Sequence, residues 1–295
     1  MQPDKRNFLS AEDDGLLCRK SHGYTLYKLK ALEEYLIRAS NAMKSKPWRE
    51  RYYIDLQAGP GKNSIAGQVY LGSPLIALTA KVPFTRYRFN ELGKNGEFEA
   101  LNQRVEASSL YDRVKLYQQD LNSVVHEICD EIEQRDRDFV KGAWPCLNVA
   151  FLDPEGLELH WATVERLAKM QRMDLIINFS TQGLNRLYGR IGEQGVLDIF
   201  DRFFGTDEWR NLEGLKSNEA SIRRRAWINF YRKRLEPLGY YIQENPLWSG
   251  AEMVVKNSKN VQVYSMIFAC KHELGDKFWK QSIKRAQGPK LPGFD

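Results

Sequence analysis

The chain has 295 residues, 42% apolar and 28% charged, which supplies a full hydrophobic core and excludes wholesale disorder. Lysine and arginine number 44 against 38 aspartates and glutamates, a net charge of +6 that leans towards polyanionic partners although the two signs are interspersed. No apolar run approaches the ~18 residues of a membrane span, the first residues lack a signal-peptide profile, and Cys18, Cys129, Cys146, Cys270 and the four histidines stand too far apart for a zinc site, so the expectation is a cytoplasmic protein with reduced thiols and no metal.

In chain order, residues 1–46 form an N-terminal segment and a packing helix. Residues 1–22 show no clear periodicity, whereas Leu26, Leu29, Leu32, Leu36, Ala39 and Met43 recur every three or four residues and predict an amphipathic helix that Pro47 stops. Residues 47–179 alternate short apolar runs with helical patterns. The runs are Tyr52–Leu56, Tyr87–Asn90, Val114–Tyr117, Leu147–Leu152 and Leu175–Phe179; helical stretches are expected near 73–81, 94–107, 121–135 and 160–170. Non-alternating apolar strands separated by helices predict an α/β, Rossmann-like fold with a mostly parallel sheet. Residues 180–238 are helical in pattern, aromatic-rich and basic, and read as an insertion capping the carboxyl edge of the sheet. Residues 239–286 return to strand: Gly239–Gln243, Val261–Ala269, and Met253–Lys256, which can pair with the last run through the turn chemistry of Asn257–Asn260. Residues 287–295, with two prolines and two glycines, read as a mobile tail.

The sequence YYIDLQAGPGKN (52–63) ends an apolar strand in Asp55 and continues through Ala58, Gly59 and Gly61. Glycine lets a backbone turn tightly and approach a ligand with no Cβ in the way. A glycine loop at the carboxyl edge of a parallel sheet is where such folds bind nucleotides. The spacing is neither GxGxxG nor a P-loop, and an ordinary tight turn would also produce it. The next strand ends in Glu91, an acid suited to two ribose hydroxyls. The third is followed by Asp120 and Leu121, placed to meet an adenine, although Asp120 equally suits the N-cap of the helix at 121–135. The fourth strand ends in LNVAFLDPEG (147–156), where Asp153 and the Pro154 carbonyl can orient an amino group; a type I turn with Pro154 at its second position is the competing reading.

Together these acids and glycines resemble a class I S-adenosylmethionine (SAM)-dependent methyltransferase. More narrowly, TLYKLKALEEYL (25–36), YIDLQAGPG (53–61), GSPLIAL (72–78), FLDPEG (151–156), INFSTQGLNR (177–186) and FACKHELGDKFW (268–279) are similar, in order and over nearly the whole chain, to the three-Cys-motif partner family. The resemblance implies a seven-stranded sheet with an antiparallel last strand and a helical insertion after strand 5. It also implies SAM as cofactor, a nucleic acid (RNA or DNA) as substrate, and a three-Cys-motif protein as partner. Two departures stand out. Leu56-Gln57 replaces the family's Gly-Phe, and Glu155 stands where Asp-Pro-Phe-Gly carries an aromatic that would stack on a base.

Methylating an exocyclic amine calls for alignment, a polar acceptor and exclusion of water. Asp153, Pro154 and Glu155 are the catalytic candidates. Asn178 and Arg186 are substrate candidates, with helix capping as the alternative. Arg223, Arg224 and Arg225, interleaved with Trp227 and Tyr231, suit phosphates and unpaired bases, but Trp227, Phe230 and Tyr231 also have the spacing of a buried helix face. His272 reads as structural. The competing function is a SAM-binding subunit, catalytically weak or inactive, that serves another protein.

Overall fold

The computed structural model describes residues 3–93, 95–138, 140–240 and 252–288. Ten strands alternate with nine α-helices among them. The first elements are β1 (Arg19–Lys20), α1 (Thr25–Met43), β2 (Arg51–Asp55), β3 (Lys62–Ile65), β4 (Gln68–Leu71) and α2 (Ser73–Leu78). The central part follows as β5 (Arg86–Asn90), α3 (Glu97–Glu106), β6 (Val114–Tyr117), α4 (Leu121–Arg137), β7 (Leu147–Leu152), α5 (Trp161–Ala168) and β8 (Met173–Phe179). Only helices lie between β8 and the next described strand: α6 (Thr181–Tyr188), α7 (Val196–Phe204) and α8 (Ala220–Lys233), with short 3₁₀ turns. The chain closes with β9 (Glu252–Lys256), β10 (Gln262–Ala269) and α9 (Glu273–Ala286).

Seven strands form the main sheet in the order β6-β5-β2-β7-β8-β10-β9. The pairs from β6 to β8 are parallel, and β10 runs antiparallel to both neighbours, with Met266 opposite Asn178 on one side and Met253 on the other. The antiparallel strand expected at 261–269 is therefore present. The strand expected at Gly239–Gln243 falls largely outside the described residues, and β9 is the seventh strand.

Alternation along each strand divides the core between two faces. Tyr53, Tyr87, Phe89, Val149, Phe151 and Ile176 pack on one face with α1, α2, α3 and α9; Tyr52, Ile54, Ala150, Leu152, Leu175 and Ile177 pack on the other with α4, α5, α7 and α8. Burial on both faces is what erases the polar/apolar alternation in the sequence. The periodic residues of α1 do face the core: Leu26, Leu29, Leu32, Leu36 and Ala39 are buried.

A three-stranded sheet, ordered β1-β3-β4, has no counterpart in the sequence reading. Its hairpin turns at Ala66 and Gly67, whose positive φ values of 50° and 81° suit a two-residue primed turn. The N-terminal β1 pairs parallel with β3, Arg19 opposite Asn63, so residues 3–22 run as a strap across the glycine loop. No helix among the described residues is long and apolar enough to cross a membrane, and none of their His, Cys, Asp and Glu side chains form a group of three or more able to hold a metal.

Candidate functional site at the carboxyl edge of the sheet

The parallel strands deliver Asp55, Glu91, Asp153 and Asn178 to one edge, because each stands at or just past the carboxyl end of β2, β5, β7 or β8. The loop after β2 is built on glycine. Gly59 and Gly61 have φ of +63° and +91°, which residues with a Cβ rarely adopt. Gly72 closes the loop by donating its N–H to the Gly61 carbonyl at 2.7 Å, and a Cβ there would come within 2.9 Å of that oxygen. Ala58 is buried and donates to the Asn90 carbonyl at 2.9 Å.

Glu91 is less open than its strand-end position suggests. Its Oε2 accepts the Gly59 N–H at 2.7 Å and Oε1 accepts the Gly93 N–H at 3.2 Å. Arg19 of the strap lies over it. Its guanidinium is 3.7 Å from Glu91, 3.0 Å from Glu97 and 3.2 Å from Glu155, and its Cζ is 3.4 Å from where a Gly59 Cβ would be. The cavity left between strap, α1 and glycine loop is about 60 Å³. A drug-sized ligand needs roughly 300 Å³ or more. The acid and the loop are brought together as expected, in direct hydrogen bond, and Arg19, which no motif flagged, covers both.

Asp55 is fully buried, accepts the Gln57 N–H through Oδ1 at 3.3 Å, and leaves Oδ2 without a partner. Burial pushes its carboxyl up to about 7, Ser73 beside it pulls the other way, and Asp153 and Glu91 add like charge. A carboxyl that keeps its proton when folded and loses it when unfolded stabilises the fold below about pH 4, and that contribution fades as pH rises through about 7. Asp55→Asn should therefore show a pH 5-to-8 loss of stability smaller than the parent's by roughly 2–3 kcal/mol, read from urea midpoints. Equal losses in both proteins would show that Asp55 ionises normally.

Asp153 is held from two sides. Lys28 of α1 donates through Nζ to Oδ2 at 2.5 Å, and Asn178 donates through Nδ2 to Oδ1 at 2.7 Å, leaving Asn178 Oδ1 without a partner. Pro154 is buried, while Glu155 points outward, its side chain 75% exposed and tied to Arg19. The turn after Pro154 is organised by Glu158, which accepts the N–H groups of Glu155 and Gly156 at 2.6 and 2.8 Å. Glu158 also takes the Gln57 amide at 2.9 Å, locking this turn to the glycine loop.

The remaining candidates separate from the edge chemistry. Asp120 is exposed and caps α4, accepting the Asn122 N–H at 2.9 Å; the capping role is the one the structure gives it, with Leu121 buried behind it. Trp227 and Tyr231 are fully buried against α5 and α7 side chains, the buried helix face that their spacing also allowed, so they offer no stacking surface. Arg223 donates to the Ser217 carbonyl and lies over Tyr188, and Arg225 pairs with Glu252 at 2.7 Å. Arg224 is half-buried, and Arg186 is exposed on α6 with no partner among the described residues. His272 caps α9, its Nδ1 accepting the Leu274 N–H at 3.1 Å.

Most of what holds the strap was invisible in the sequence. Asp14 and the two cations it pairs with are essentially inaccessible: Oδ2 accepts from Arg104 Nε and Lys62 Nζ, both at 2.8 Å, and Oδ1 from Arg104 Nη2 at 2.7 Å. Arg104 also reaches the Pro60 carbonyl of the glycine loop, and Lys62 the carbonyls of Asn7 and Glu12. The lysine of GPGKN is thus a strap anchor, not a phosphate ligand.

No protein-family model matches this chain, and no curated protein matches it. Among solved structures, a Legionella pneumophila protein assigned to the family model DUF519 is similar at 11% identity and a TM-score of 0.46, covering 88% of this chain and 92% of that one. An uncharacterized protein from Listeria monocytogenes serotype 4b is similar at 12% identity and a TM-score of 0.38, covering 83% and 67% respectively. Likenesses at this level carry no argument about fold or chemistry.

Proposed function

We propose that this protein is a SAM-dependent methyltransferase acting on an exocyclic amino group of RNA or DNA. The observation that carries the reading is the pairing of Asp153 with Asn178 beside a left-handed glycine loop, at the edge where the motifs of the methyltransferase resemblance would converge. The reversed strand β10 next to the last edge agrees with the same resemblance. In this reading SAM supplies an electrophilic methyl group. Gly59 and Gly61 let the backbone approach it, Glu91 receives its ribose hydroxyls, and the unpartnered Oδ2 of Asp55 receives a cationic or N–H group. Asp153 orients the amine, with the Pro154 carbonyl as a second acceptor. The exposed Arg186 and the half-buried Arg224 remain available for phosphate.

The cavity of about 60 Å³ requires Arg19 to leave Glu91 before a ligand enters. That same observation favours the second reading, a weak or inactive SAM-binding subunit of a larger assembly, for which a three-Cys-motif protein is the partner the resemblance suggests.

The test is incubation with methyl-labelled SAM and total RNA or DNA, followed by nucleoside digestion and mass analysis. An N-methylated nucleoside supports the enzyme; retained SAM with no transfer supports the subunit. Nucleic-acid affinity should fall with salt at a log–log slope of about 0.7–0.9 per phosphate contact. For the cofactor itself, Glu91→Ala should weaken SAM binding by at least tenfold in calorimetry, since about 1.5–3 kcal/mol rides on each charge-assisted hydrogen bond. Unchanged affinity would remove Glu91 from the site.

A further inference from the structure

A second cavity, about 700 Å³, opens at the opposite edge of the sheet, where β2, β7 and β8 begin, beneath the end of α1 and the start of α9. Its volume lies within the ~300–1,000 Å³ of small-molecule sites. The wall is largely apolar and aromatic, with Met43, Trp48, Phe84, Trp144 and Phe278. Trp144, 42% exposed, stands edge-on to Trp48 with ring centroids 4.9 Å apart.

The polar part of the lining is one-sided. Lys46, Arg51, Arg172 and Lys271 all contribute, and none has a carboxylate within ion-pair distance among the described residues. By contrast, the fully buried Arg104 and Lys62 are both paired with Asp14. Arg172 rests on the Trp48 ring, and Lys271 spends its ammonium on the carbonyls of Ala168 and Met170. Arg51 donates Nη2 to the Pro83 carbonyl at 3.0 Å, and its Nη1 is buried without a partner. Two other buried polar groups of the lining are also unpartnered, the Ser40 hydroxyl and the Trp48 indole N–H. All three can donate hydrogen bonds, and leaving a buried donor unsatisfied is costly. The one acid of the lining, Asp174, accepts the Tyr35 hydroxyl at 2.5 Å.

We infer that this cavity binds a small amphiphilic anion: a flat apolar body held among Trp48, Trp144 and Phe278, with one anionic head received by Arg51. It lies away from the glycine loop, and it stands or falls independently of the methyltransferase reading. An aromatic body is matched by the aromatic wall, and the head supplies the countercharge that the lining cations lack.

The probes are 8-anilinonaphthalene-1-sulfonate and its uncharged relative N-phenyl-1-naphthylamine, followed by fluorescence titration of the full chain. The sulfonate should bind saturably at one site per chain. Arg51→Gln should weaken it by about tenfold and leave the neutral probe within about twofold. Should Arg51→Gln fail to fold, judged by circular dichroism, the exposed Arg172→Gln gives the same discrimination. Met43→Trp, which narrows the apolar wall, should weaken both probes. Absence of saturable binding, or equal loss of both probes in the arginine variants, overturns the inference.

Discussion

Asp14→Ala should destabilise the protein by about 3–5 kcal/mol, a large part of the stability of an ordinary domain. The substitution leaves Arg104 and Lys62, both inaccessible, without the carboxylate that neutralises them. Burial alone would raise the Asp14 carboxyl, but hydrogen bonds from Arg104 and Lys62 outweigh it and hold the group below the usual carboxylate range. A depressed carboxyl contributes stability above its unfolded pKa and loses it as pH falls through the folded value, so the cluster should weaken only in acid. Urea unfolding at pH 7 measures the effect. A loss under about 1 kcal/mol would mean that water or a rearranged strap compensates the cations, and the strap would then be a loose appendage and not part of the fold.

Asp153→Ala should lower methyl transfer by about a hundredfold or more, since misplacing a reacting group by an ångström costs that much. In the reading proposed above, the carboxylate orients the amine and adds little to binding. SAM and nucleic-acid affinities should therefore remain within about twofold while turnover falls. The substitution also frees Lys28 and Asn178, which both donate to this carboxylate. Thermal unfolding of the variant separates a fold defect from a chemical one: an unchanged melting temperature with lost turnover assigns Asp153 to the reaction. A variant that transfers methyl groups at the parent rate would take Asp153 out of the catalytic set and shift attention to Asn178.

The strands and the long helices were legible because their signals are local. Val114–Tyr117 and Leu147–Leu152 occupy the residues their apolar runs mark, and α1 fills the span its three-and-four spacing outlines. The site was legible only as strand-end positions. Asp55, Glu91, Asp153 and Asn178 could be placed at one edge from sequence, because parallel strands deliver their carboxyl ends together. Asp120 was ambiguous, since an acid before a helix serves as a cap or as a ligand with the same local sequence, and only its bond to Asn122 separates the two.

Sequence alone determined the alternation of strand and helix, the reversed final strand through its family resemblance, and the identity of the edge residues. Tertiary structure decided what those residues touch. Arg19 lies 72 positions from Glu91 in the chain yet covers it, because β1 pairs with β3 and carries the strap across the glycine loop. Asp14 finds Lys62 and Arg104 only after residues 3–22 fold back, and Trp227 is removed from any nucleic acid by packing against Tyr188 and Phe200. Periodicity is a property of neighbours along the chain, whereas ion pairing and occlusion depend on which distant segments share a surface, and one sequence carries no local mark of that.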